Sequence, residues 1–199
     1  MESKINSHTV EKHIFIKNMI GKCCIRMLRI IFEQQKIEVI SLVSGEAEIR
    51  YKSTEWNEKK LAVLLEENGF GLILSREKRI VELTKLAIVE LIHELNNMNS
   101  IVQKSDYLVE KIGLSYQQIS KLFSKHEPIT LERFIILNKI ERVKELILTD
   151  EYTLSEIAYL MDYSSVQYLS NQFKKETGYS VTDYKKEGLN LKINLDELY

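Results

Sequence analysis

The chain has 199 residues, with 44% apolar and 29% charged side chains, enough for one large domain or two small ones with a buried core. One proline and seven glycines exclude Pro/Gly linkers, collagen-like repeats and low-complexity arms and favour helix. Lys plus Arg is 28 against 29 Asp plus Glu, a net charge of −1, so binding to nucleic acid would have to come from local basic clusters rather than from a basic whole.

In chain order, His13–Lys17 alternates like a short strand. Cys23–Gln35 carries Cys24, Met27, Leu28 and Ile31 at helical spacing. Ile37–Val43 is rich in β-branched residues, Ser44-Gly45 marks a turn and Ala47–Tyr51 is the next strand, which predicts a hairpin. Asn57–Asn68 is a second helix with Leu61, Leu64 and Leu65 on one face, stopped at Asn68-Gly69; Trp56 is expected to cap it or pack on it. Phe70–Leu74 is a fourth strand. The order β-α-β-β-α-β is the ferredoxin-like split βαβ pattern, placed over residues 10–75.

From Arg76 to Leu95 the steps of Ile80, Leu83, Ala87, Leu91 and Leu95 predict a linker helix, within residues 76–99, broken by the run Asn96–Ser100. After Ile101 no segment has strand character. Ser105 or Asp106 is expected to cap a helix ending at Gly113, and Leu114-Ser115 opens another through Phe123. Pro128 breaks the chain. Thr130 caps a long helix, Leu131–Leu148, striped by Ile136, Ile140, Val143 and Ile147. Thr153 or Ser155 starts the next helix, Asp162-Tyr163-Ser164 turns the chain, and Ser165–Glu176 forms a helix stopped at Thr177-Gly178. The expected architecture is an α+β N-terminal domain followed by an all-α C-terminal domain, residues 100–187, in which two helix-turn-helix units flank one long helix. Residues 188–199 form a tail without a readable role.

Each pair ends in a helix with a polar outer face. The first offers Ser115, Tyr116, Gln117, Ser120 and Lys121 outside Ile119, Leu122 and Phe123. The second offers Ser165, Gln167, Tyr168, Ser170, Asn171, Lys174 and Lys175 outside Val166, Leu169 and Phe173. Gln and Asn can meet adenine through two hydrogen bonds, Lys can meet guanine or phosphate, and Ser serves either sense. A plain helical bundle with a solvated polar face would show the same spacing.

The segment Glu141–Lys186, ERVKELILTDEYTLSEIAYLMDYSSVQYLSNQFKKETGYSVTDYKK, resembles the C-terminal half of an AraC-type DNA-binding domain. The likeness lies in the ER-x-K-E-L helix, the LSEIAY helix, Tyr163 after the turn, S-x-x-Y-L-S-x-x-F-K-K with T-G, and Tyr184-Lys185. Ile101–Arg133 matches the first half more weakly. The resemblance implies seven helices and two recognition helices in successive major grooves of double-stranded DNA, about 10 bp apart. The chain departs from the pattern at Asp162 and Pro128, where the family has Gly, and at Val181, where it often has Pro.

The loop Lys17–Cys24 (KNMIGKCC) and the βαββαβ order resemble a heavy-metal-associated domain with a degenerate ligand loop. Met19 and Cys24 stand at family positions, but Gly21 replaces the first cysteine. Adjacent thiols such as Cys23 and Cys24 clamp a soft ion poorly. The expectation is therefore no cofactor and no metal, with Met19, Cys23 and Cys24 kept as the ligands of a rival, metal-responsive reading.

His8, His13, His93 and His126 form no catalytic spacing and are read as surface or loop residues; no phosphate loop or nucleophile elbow occurs, so no enzyme is expected. Two adjacent cysteines make no disulfide framework, and neither a signal sequence nor a membrane span is legible, so the expected compartment is the cytoplasm. The expected function is sequence-specific transcription regulation, with the N-terminal domain regulatory or self-associating. A homodimer would form through that domain or the 76–95 helix, and the effector is unassigned. A protein-interaction module that has lost DNA binding is the other rival.

Overall fold

The structure, a computed structural model, describes residues 9–19, 21–93 and 101–187. The chain divides into two compact units between Leu86 and Ala87. His8, Leu95, the run Asn96–Ser100 and the 188–199 tail lie outside the described residues.

The first unit runs β1 (Thr9–Lys17), α1 (Lys22–Gln34), β2 (Glu38–Val43), β3 (Glu46–Lys52), α2 (Glu58–Glu66) and β4 (Gly71–Ile73). Its sheet has the order β2-β3-β1-β4 with every neighbouring pair antiparallel. β1 begins at Thr9, four residues before the predicted start. Thr9 to Lys12 pair with Lys52 to Ile49 of β3, and a long-range ladder leaves no local apolar alternation to read.

Side-chain period two puts Ile14 and Ile16 of β1 and Ala47 and Ile49 of β3 into the core, where Leu28 and Phe32 of α1 and Leu61 and Leu65 of α2 cover them. Each of the buried Ile, Leu and Phe side chains contributes about 1.5–3 kcal/mol. Trp56 packs against this core, as expected, just ahead of Asn57. The Asn57 side chain accepts from the Lys60 amide at 3.0 Å and caps α2.

Met27 departs from the predicted stripe of α1. It is 46% exposed, and Ile30 is 55% exposed, while Leu28, Ile31 and Phe32 turn inward. Apolar residues on both sides of α1 leave its phase undecided in sequence. The sheet selects the Leu28–Phe32 side. Ile40, 41% exposed, sits at the irregularity between Val39 and Ser41 of β2. Gly45 turns the β2–β3 hairpin at φ +83°, and a Cβ there would lie 2.7 Å from Leu86 Cδ1.

Helix α3 (Arg76–His93) contains the division between the units. In its first half the Arg79 guanidinium lies 3.5 Å above the Phe15 ring. The buried Glu82 carboxylate accepts from the Asn18 amide at 2.6 Å. Asn18 stands at φ +68° and donates through Nδ2 to Gly69 O at 3.1 Å. The loop before α1 is thus tied to α3.

The second unit continues with α4 (Ile101–Ile112), α5 (Tyr116–His126), α6 (Leu131–Thr149), α7 (Leu154–Leu160), α8 (Val166–Thr177) and α9 (Val181–Glu187). The chain is therefore α+β: an antiparallel sheet with its helices, then a helical region. α4 starts at Ile101, so Ser105 and Asp106 lie inside it rather than capping it. A cap-forming residue type is a local preference that a longer helix overrides. α6 packs against α5, α7, α8 and α9 and is buried nearly all round, including Asn138, Glu141 and Lys144. Lys144 Nζ donates to Glu141 Oε1 at 2.6 Å, and Asn138 Nδ2 to Phe134 O at 2.9 Å, while the buried Asn138 Oδ1 has no hydrogen-bond partner among the described residues.

Candidate nucleic-acid interface

Two helix pairs, α4–α5 and α7–α8, are built by the same local devices. The first turns at Gly113 (φ +75°), whose amide donates to Val109 O at 2.8 Å. The second turns at Asp162 (φ +54°), followed by Tyr163, whose amide donates to Ala158 O at 2.8 Å. Asp adopts the left-handed conformation more readily than most side chains, so the turn forms without glycine.

Helix starts follow from the sequence. The Ser115 hydroxyl accepts from the Gln118 amide, and the Gln118 side chain accepts from the Ser115 amide at 3.0 Å, a reciprocal cap. Thr153 and Glu156 repeat that arrangement on α7. The two hydrogen bonds from Thr153 hold the Glu156 carboxyl below its ordinary range. Ser165 accepts from the Tyr168 amide at 3.1 Å and caps α8.

Buried aromatic and aliphatic residues set the phase of each second helix. On α5, Ile119 and Phe123 are buried, with the Phe123 ring 5.2 Å from that of Phe134. On α8, Leu169 and Phe173 are buried, with Phe173 5.4 Å from Tyr184, edge to face. The opposite faces then present Ser115, Gln117 and Lys121 on the first helix and Ser165, Gln167, Tyr168, Asn171, Lys174 and Lys175 on the second. Gln118, Ser124 and Lys125 are also exposed on α5. The spacing of Ile119 and Phe123 is the sequence signal that puts them opposite the core.

Tyr116, Ser120 and Ser170 sit at the flank, half-buried. The Tyr116 hydroxyl donates to Glu132 Oε1 at 3.3 Å, and Ser120 Oγ donates to the same oxygen at 3.4 Å. Burial, reinforced by the Glu132 charge, pushes the Tyr116 phenol up to about 12, so it stays a donor at neutral pH. Across the second pair, Arg133 at the start of α6 donates to Glu176 at 2.5 Å, and Gln172 donates to the same oxygen at 2.8 Å. This contact ties α6 to the end of α8. Tyr163 is half-buried with its hydroxyl out of solvent, which raises its phenol, and the Lys139 ammonium lies 5.1 Å over its ring.

Among the exposed side chains, Gln167 Nε2 donates to Asn171 Oδ1 at 3.1 Å, so the two amides are held together on one turn of α8. Lys174 and Lys175 are exposed in the last turn of α8, Lys186 is exposed on α9, and Lys185 is ion-paired to Asp150.

Met19 is wholly buried in the core of the first unit and Cys24 leans on that core, while Cys23 is exposed. Among the described residues no group of three His, Cys, Asp or Glu is placed to hold an ion. Among the described histidines, His13 is exposed on β1 beside Glu46 at 3.1 Å, and His126, half-buried, ends α5. His93, in the last turn of α3, is half-buried with Nδ1 3.6 Å from Glu145 Oε2 rather than on the surface or in a loop. Contacts with α6, distant in sequence, put it there.

Residues 108–187 match a family model described as a helix-turn-helix domain. The xylose operon regulatory protein of Escherichia coli, in strains K12 and O157:H7, is 24% identical over 170 residues, covering 80% of this chain and 42% of the relative. The chain therefore spans less than half the length of the curated relatives it matches. Among solved structures, the C-terminal domain of AraT, a response regulator from Geobacillus stearothermophilus, covers 57% of this chain and 88% of that one at 23% identity and TM-score 0.46. The transcriptional regulator CdpR from Pseudomonas aeruginosa covers 88% of this chain and 55% of that one at 12% identity and TM-score 0.43. No helix among the described residues is long and apolar enough to cross a membrane.

Proposed function

We propose that the chain is a sequence-specific DNA-binding transcription regulator of AraC type, acting in the cytoplasm without catalysis of its own. One observation carries the proposal: within the segment that matches the helix-turn-helix model, α5 and α8 are capped by serine and turn Ser, Gln, Asn and Lys outward. The pairs α4–α5 and α7–α8 are the two helix-turn-helix units. Their second helices enter successive major grooves one helical turn apart, with α6 as the spacer. Gln117, Lys121, Gln167, Tyr168, Asn171, Lys174 and Lys175 face the duplex. Ser115 and Ser165 work at the caps, and Tyr116, Ser120 and Ser170 at the flank.

The chain is organised as a sheet-bearing part over 10–75, a connecting helix within 76–99 and the DNA reader over 100–187. The β-α-β-β-α-β order with strands arranged β2-β3-β1-β4 supports a ferredoxin-like first part. That part serves regulation or self-association, through its own surface or the 76–95 helix. Fluorescence anisotropy on duplexes selected from a random pool, repeated over salt, tests the reader. Enrichment of a site with two half-motifs one turn apart is the expected outcome. Absence of any enriched site and of salt-dependent binding overturns it. The net charge of −1 and the lack of Arg on α5 and α8 favour one second reading, a helical interaction module without DNA binding, and that second outcome would favour it and move the search to a partner protein or an effector.

A further inference from the structure

The outward faces of α5 and α8 repeat one another. Ser115 and Ser165 cap the two helices. Ile119 and Phe123 on the first, and Leu169 and Phe173 on the second, are the buried anchors at the same phase. Residue by residue from Ser115 to His126 and from Ser165 to Glu176, buried, half-buried and exposed positions follow in the same order. Gln117 and Gln167 therefore occupy one equivalent exposed position, Lys125 and Lys175 another, and Lys121 stands where Asn171 stands.

A helix with the same cap and the same inward anchors offers the same positions to whatever lies on its outer side. Resting on the DNA-binding reading above, we propose that the two half-motifs of the DNA site are read by one repeated scheme. Gln117 and Gln167 take the same base, and Lys121 and Asn171 set the difference between the halves. Gln meets the N6 and N7 groups of adenine, which assigns adenine to both halves. Lys121 is a pure donor and suits the O6 and N7 acceptors of guanine, whereas Asn171 suits a second adenine. The Gln167–Asn171 hydrogen bond leaves Gln167 Oε1 as acceptor and Asn171 Nδ2 as donor on one turn, complementary to adenine edges. Lys125 and Lys175 neutralise phosphate at equivalent places and carry no letter.

The test uses the full chain and a random duplex pool. Wild type should select two half-motifs that share an adenine and differ beside it. Gln117→Ala should lower discrimination at that adenine about ten-fold in one half only, and Gln167→Ala should do so at the equivalent place in the other half. Lys121→Asn should change the neighbouring letter from guanine to adenine, making the halves more alike; a gained preference cannot arise from misfolding. If wild type selects a site but the two glutamine variants act at inequivalent places, or Lys121→Asn leaves the letter unchanged, the repeated scheme is wrong and DNA binding stands. If wild type selects no site, DNA binding falls, and the scheme with it.

Discussion

Asp162 holds φ +54° between α7 and α8, in the region where an L side chain meets its own backbone. Asp162→Ala and Asp162→Gly both remove the carboxylate, so their difference isolates the backbone. The glycine variant should be more stable by about 1 kcal/mol in urea unfolding. Glu156 closes the cap on α7, and its carboxyl is held below the ordinary 4.5 by hydrogen bonds from Thr153. A depressed folded pKa stabilises the fold above the unfolded value, and that contribution is lost as pH falls through the folded one. Glu156→Gln keeps an acceptor without the titration. The variant should be less stable than wild type at pH 7, with the gap closing as pH drops below about 4.5. A gap that stays constant with pH would show that the charge contributes nothing.

Helix α1 shows how an element with apolar residues on two sides is assigned a face. Leu28 is fully buried and Met27 is not, although they are neighbours in sequence. Leu28→Ala should cost about 2–5 kcal/mol in the stability of the sheet-bearing unit, as a core truncation leaves a cavity. Met27→Ala should stay within about 0.5 kcal/mol, as exposed sites do. Chemical denaturation followed by far-UV circular dichroism separates the two. Equal costs would mean that α1 buries both residues. Helix α6 makes the complementary point. It carries Glu141 and Lys144 into the interior because four other helices pack around it, and the pair is tolerated because each partner satisfies the other.

For the whole molecule the relevant quantity is charge placed against DNA, since the sum is only −1. Lys174 and Lys175 are exposed at the end of α8. Replacing both with Ala should weaken binding to every duplex alike and lower the slope of log affinity on log salt by about 2, at roughly 0.9 per phosphate. Replacing Gln167 and Asn171 with Ala should instead flatten the preference among sequences and leave that slope unchanged. If both double variants keep wild-type affinity and preference, α8 is not a reading helix.

The sequence by itself determined the local features. Ser115, Asn57, Thr130, Thr153 and Ser165 announced helix starts because a cap is a bond between residues three apart. Ile119 with Phe123, and Leu169 with Phe173, announced the inward phase of α5 and α8, and so nearly all of the candidate reading face, because helical periodicity is also local. Tertiary structure decided what depends on a distant partner. It extended β1 back to Thr9 by pairing with β3, chose the buried side of α1, and drew Glu82 to the Asn18 amide. It placed His93 against Glu145, joined Arg133 to Glu176, and turned Tyr116 and Ser120 towards Glu132. Such contacts depend on which surfaces meet after the chain has folded, and no window of neighbouring residues contains that information.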